Sequence, residues 1–194
     1  STDRTSTITF TFDEDVTGFT ASDVTAINAT VGSVAASRAS VYTATVTPTN
    51  DGSVTSDVAA NSAQDSAGNG NTAATQIATT YDASSPTVVI SSDIIGASTN
   101  STFTITFTFN EDVTGFTASD VTAINATVGS VAASSASVYT ATVTPTNDGS
   151  VTSDVAANSA QESAGNGNTA AMQIAMTYDA IISTVEDLSG GKGR

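Results

Sequence analysis

Thr102-Phe103-Thr104-Ile105-Thr106-Phe107-Thr108-Phe109 alternates without a break. In an extended chain successive side chains point to opposite faces. Phe103, Ile105, Phe107 and Phe109 therefore share one face, and the four threonines share the other. β-Branched and aromatic residues in period two predict a half-buried strand with its Phe/Ile face inward. The stretch occurs twice, the other copy running Thr5-Ser6-Thr7-Ile8-Thr9-Phe10-Thr11-Phe12. The offset is 97 residues, and it holds from Thr5/Thr102 through Asp82/Asp179. Only six aligned positions differ: Ser6/Phe103, Asp13/Asn110, Arg38/Ser135, Asp65/Glu162, Thr75/Met172 and Thr79/Met176. A period this long is one domain per repeat rather than one turn of a solenoid.

Working outward through the second copy, Pro86 to Ser92 reads as a first strand with proline at its edge. Asn110 to Phe116 is an acidic loop. Val121 to Asn125 and Thr127 to Ala133 are short strands, the latter bent at Gly129. Val138 to Thr144 puts Tyr139, Ala141 and Val143 inward, and Pro145 to Gly149 has turn chemistry. Val151, Ser153, Val155 and Ala157 share a face of the next strand. Glu162 to Asn168 is a loop tolerant of positive φ. Met172, Ile174, Met176 and Tyr178 share the inner face of the last strand. Seven short strands with frequent turns and no amphipathic helix predict an antiparallel β-sandwich of immunoglobulin type. A β-barrel is the alternative architecture.

The domains read as 1–82, 83–180 and a C-terminal extension 181–194 that is flexible or begins a further repeat. The first sandwich lacks its first strand, because nothing in the sequence matches Pro86 to Ser92 there. Ser6, Thr75 and Thr79 replace Phe103, Met172 and Met176, all three expected on inner faces near the missing strand.

The chain has 194 residues, four basic and nineteen acidic, with a net charge of −15. So few cations exclude nucleic acid, whose phosphates need Lys and Arg, and disfavour an anionic membrane surface. No apolar run approaches the roughly 20 residues that span a bilayer. There is no Cys or His, which removes thiol chemistry and the commonest general base. Lys192 is the only lysine, so neither repeat can form a Lys–Asn crosslink. Paired carboxylates occur without sign of a cleft to raise the pKa of an acid, and an enzyme is not expected.

The acidic loops are the chemical candidates. Sandwich topology brings the loop after the second strand and the loop before the last strand to one pole. Asn110, Glu111, Asp112, Glu162 and Asn166 would then lie near the linker at Asp82. Ca²⁺ needs six to eight oxygen ligands, and these six residues are the candidate ligands. The spacing is not that of an EF-hand. The bland reading is a solvated acidic turn whose Asp and Asn cap backbone groups. The threonine ranks resemble those of ice-binding surfaces, but any solvated strand face can use threonine.

Thr106-Phe107-Thr108-Phe109-Asn110-Glu111-Asp112-Val113-Thr114-Gly115-Phe116, the runs Ala118 to Thr122 and Tyr139 to Pro145, and Ser163 to Ala170 together resemble bacterial Ig-like repeats of large surface proteins and adhesins. The resemblance covers nearly the whole chain. It implies an extracellular, cell-surface location and a non-enzymatic stalk or spacer role, with neighbouring Ig-like domains as partners and the ligand of the tip left open. In some members it implies calcium at domain junctions, which would make a calcium-stiffened binding module. A further alternative is a fibre subunit. Ile181, Ile182, Val185 and Leu188 offer apolar side chains for donation into the incomplete first sandwich of an identical chain. Glu186 and Asp187 fit poorly into such a strand.

Overall fold

The computed structural model describes residues 5–94 and 98–180 and divides into two compact units between Ser84 and Ser85. In the first unit the strands are β1 (Ser6–Thr11), β2 (Val24–Ile27), β3 (Ala29–Val31), β4 (Ala35–Arg38), β5 (Val41–Pro48), β6 (Gly52–Val58) and β7 (Ile77–Tyr81). One sheet joins β1 to β5, and β5 in turn to β3 and β4; the other runs β2-β6-β7. All of these pairings are antiparallel.

The second unit repeats this with β10 (Phe103–Phe109), β11 (Val121–Ile124), β12 (Ala126–Val128), β13 (Ala132–Ala133), β14 (Val138–Pro145), β15 (Gly149–Val155) and β16 (Ile174–Tyr178). It adds β8 (Val88–Ser92) and β9 (Ser98–Thr99) ahead of them. β8 pairs antiparallel with β10, while β9 pairs parallel with β16 in the other sheet. The first strand of this unit is thus shared between both sheets, closing an edge of each. Among the described residues β1 and β7 are edge strands of the first unit's sheets; the positions that correspond to β9 are residues 1 and 2, which lie outside the described residues.

Ile105 and Phe107 are fully buried, and Phe103 and Phe109 nearly so. They meet Val121, Val151, Val155 and Met176 from the facing sheet, so one core fills the sandwich. Phe116 packs edge-on against Phe107, Phe109 and Tyr139, with ring centroids 5.0, 5.3 and 5.4 Å away. The Tyr139 hydroxyl donates to the Val113 carbonyl at 2.8 Å, and Tyr42 does the same to Val16 at 2.7 Å. Each tyrosine thereby ties β5 or β14 to the loop that follows β1 or β10. A buried phenol hydroxyl needs such a partner.

Several sequence expectations are corrected. The loop Asn110 to Phe116 is not wholly solvated, because Val113 and Phe116 are buried in the core. Thr127 to Ala133 is interrupted at Gly129, whose N–H donates to Thr142, leaving β12 and β13 as separate strands. Ala157 is exposed: β15 ends at Val155, and Asn158 turns the chain with φ of 62°. Met172 is 91% exposed, because the last strand begins only at Ile174. Of the three apolar-to-polar replacements placed on inner faces, only Phe103/Ser6 and Met176/Thr79 belong there.

The asymmetry follows. Among the described residues nine apolar side chains are buried in the first unit and, with Pro86, sixteen in the second. Ile8 and Phe10 are half-buried where Ile105 and Phe107 are sealed.

Candidate functional site

In the second unit the two acidic loops do meet. Thr114 and Gln161 exchange backbone hydrogen bonds of 2.8 and 3.1 Å, placing the loop after β10 beside the loop before β16. The carboxylates are nevertheless turned to their own loops. Glu162 is buried and accepts from the N–H groups of Ala164 and of Asn166, the latter at 2.7 Å. Burial alone would raise its pKa. The amides of Ala164 and Asn166, with the side chains of Asn166 and Ser163, outweigh that and hold it below the usual glutamate value. In the first unit Asp65 sits at the same position with a shorter side chain. The Asn69 side chain and amide, and the Ala67 and Gly68 amides, hold its pKa down. Both acids close a loop that would otherwise leave amides unpaired.

The other candidates are spread over separate loops. The Asn110 Oδ1 accepts from Thr87 N–H at 2.6 Å, fastening β8 to the end of β10. Glu111 is half-buried and Asp112 exposed. Asp82 belongs to the first unit, where its Oδ1 accepts from Ser84 N–H at 3.0 Å. Among the described residues no three acidic side chains are gathered so as to hold a metal ion. The donor segment Ile181 to Leu188, with Ile182 and Val185, lies outside the described residues.

The threonine ranks face outward as expected and extend across strands. Thr104 and Thr106 stand opposite Thr142 and Thr140, and Thr127 stands opposite Thr144.

Sequence reasoning passed over two structural asparagines. Asn28 and Asn125 both take φ of 58°. Each reaches the following hairpin, Asn125 donating to the Asn147 carbonyl at 2.7 Å and accepting from Asn147 N–H at 3.1 Å. Both begin Asn-Ala-Thr triplets, and the left-handed backbone explains the Asn. The pairing of Gly167 with Asn158 was also hidden: a Cβ on Gly167 would lie 2.2 Å from the Asn158 Oδ1.

One concave feature lies in the first unit. A cavity of about 530 Å³ opens between β1 and the segment 70–77, with Phe10, Phe12, Val58 and Ala74 among its walls.

Comparison with known proteins agrees with this architecture. The bacterial Ig-like domain family matches residues 1–81 and 82–179, and the chain belongs to it. The Escherichia coli adhesin FdeC has a similar structure, with a TM-score of 0.53 at 14% identity; the match covers 91% of this chain and 60% of that one. The chain thus spans less than two thirds of that adhesin structure. Yersinia pseudotuberculosis InvD matches over 90% of this chain and 52% of its own, with a TM-score of 0.40 and 21% identity. No curated protein matches the sequence.

Proposed function

We propose that this chain is a non-enzymatic spacer module of a bacterial cell-surface protein, holding a binding tip away from the cell. The observation that carries this reading is the repetition itself. Two adjacent bacterial Ig-like units differ at six of their aligned positions, and the acids Asp65 and Glu162 that distinguish their loops accept from amides and side chains of their own loops. Selection for one particular ligand site would favour divergence between copies, whereas spacing requires only that each copy fold. The similarity to FdeC supports a surface location. An antibody raised against the chain should stain intact cells of the source bacterium as strongly as permeabilised ones. Staining that appears only after permeabilisation contradicts the proposal.

Calcium at the acidic pole is a second proposal, supported by the juxtaposed loops after β10 and before β16 and by the net charge of −15. Bound calcium would raise the melting temperature by mass action. A melting curve indifferent to millimolar calcium and to chelator ends it.

A further inference from the structure

Only two asparagines of the chain precede a glycine, Asn69 before Gly70 and Asn166 before Gly167. They fall at the same place, in the loop ahead of the last strand of each unit, and the fold fixes both members of the pair. A Cβ at Gly70 or Gly167 would lie 2.2 Å from the Oδ1 of Asn61 or Asn158, so glycine is the residue that fits. Asn69 is held by Asp65: its N–H donates to Oδ1 and its Nδ2 to Oδ2, both at 2.8 Å. Glu162 holds Asn166 in the same way, accepting from its N–H at 2.7 Å and from its side chain.

This dipeptide is reactive. The side-chain Cγ of an asparagine can close a five-membered ring with the backbone nitrogen of the next residue. A glycine there has no Cβ to block the approach. Neither Gly70 nor Gly167 donates its N–H to a backbone carbonyl among the described residues. Each stands in the unbonded position of a bridge, opposite Gln64 or Gln161, and the hydrogen bonds of that bridge are made by the residues on either side. The nitrogen is therefore not committed to the ladder. Asn71 and Asn168, two residues on, are a contrast. Each precedes a threonine, and its side chain accepts from one amide and donates to two carbonyls.

We propose that Asn69-Gly70 and Asn166-Gly167 are self-modification sites, converting without an enzyme to aspartate and isoaspartate at a rate that Asp65 and Glu162 restrain. The glycine nitrogen bonds to Cγ, the Cγ–Nδ2 bond breaks, and the amide leaves as ammonia with the glycine's proton. Water then opens the cyclic imide at either of its two ring C–N bonds, and nothing is oxidised or reduced. Opening at Cγ leaves aspartate. Opening at the backbone carbonyl carbon leaves isoaspartate, whose main chain runs through the side chain and is one carbon longer. Swinging Cγ onto the glycine nitrogen pulls Nδ2 off the carboxylate, so the ring closes only after that hydrogen bond has opened. Either product sets a second carboxylate against Asp65 or Glu162, where like charges repel. Each repeat of an array thus carries one age mark that loosens the loop before its last strand.

The full 194-residue chain, incubated at neutral pH and digested at intervals, tests this by mass spectrometry and by enzymatic methylation of isoaspartate. Asn69 and Asn166 should gain the mass of NH2 replaced by OH ahead of every other asparagine, and isoaspartate should appear at both. Unfolded in urea, the chain should convert faster. The factor should match the protection from exchange of the Ala67 and Asn69 amides, or of Ala164 and Asn166, because both events need the same opening. Glu162→Ala should speed conversion at Asn166 about tenfold, the rate equivalent of one charge-assisted hydrogen bond, and leave Asn69 of the same chain unchanged. Glu162→Asp, the acid of the other loop, should keep the parent rate. If Glu162→Ala fails to fold, the protection factor of the parent decides. Conversion spread evenly over the other asparagines, or absent at both sites, overturns the proposal. A folded chain that converts as fast as the unfolded one, or a folded Glu162→Ala chain with an unchanged rate at Asn166, overturns the restraint.

Discussion

Replacing the same phenylalanine in each repeat should give two different losses. Phe107 is completely buried, stands opposite Tyr139 and Ile90, and meets Phe116 edge-on at 5.0 Å. Truncating a fully buried Phe to Ala removes about 3–5 kcal/mol. With the aromatic pair lost as well, Phe107→Ala should remove about 4–5 kcal/mol from the second unit. Phe10 has the same Tyr42 partner and a similar ring contact to Phe19 at 5.1 Å, but it is only half-buried and lines the cavity beside β1. With about half the ring's transfer free energy at stake, Phe10→Ala should remove about 2 kcal/mol from the first unit. At a urea slope of about 1–1.5 kcal/mol per molar, the midpoints fall by about 3–5 M and about 1.3–2 M. Amide exchange read by mass spectrometry across a urea series resolves the units, because β1 and β10 peptides differ in mass at Ser6/Phe103. In the parent chain the first unit should unfold at lower urea. Equal losses for the two variants would refute the reasoning, since they would mean that β8 adds nothing to the burial of Phe107.

Other consequences are measurable on the same protein. Tyr139→Phe should destabilise the second unit by about 1 kcal/mol, the net worth of one buried hydrogen bond, and no loss in thermal or urea unfolding would dispose of the role given to its hydroxyl. Glu162→Gln replaces an acceptor of two amides by a group with one acceptor atom, and should remove about 1–3 kcal/mol by urea titration. Because the folded pKa of Glu162 is depressed, its contribution is complete above the ordinary glutamate value of 4.5 and is lost as pH falls through the lower folded value. The second unit should therefore hold its stability from pH 7 to 5 and weaken below about 4, and Glu162→Gln should flatten that acid limb. Gly167→Ala should destabilise the same loop, as its Cβ meets the Asn158 side chain and, at 3.1 Å, its Cα; unchanged melting would show that the loop can shift.

The sandwich was legible because its inner faces are written in period two. Phe103 to Phe109 and Tyr139 to Val143 could be placed inward from alternation alone. Where alternation continues past the end of a strand it misleads, as at Ala157 and Met172. The strand boundaries there are set by a left-handed asparagine and by the register with β15, neither of which has a periodic signature. Val113 and Phe116 were hidden in a loop because an irregular segment can bury side chains without any repeat in its spacing. The meeting of the two acidic loops followed from topology. That Glu162 is spent on the amides of Ala164 and Asn166 did not, since a carboxylate two and four residues ahead of its partners reads the same as a ligand.

The most direct test of the spacer account is an exchange made in the parent protein on its own cells. Both repeats are replaced by an unrelated pair of Ig-like domains of the same length, and in a second strain they are deleted. Adhesion of the cells to their natural surface is then measured. The account predicts that the exchanged strain adheres like the parent while the deleted strain adheres less. Loss of adhesion on exchange, equal to that on deletion, would contradict it, because the surfaces of these repeats would then be contacting the ligand themselves.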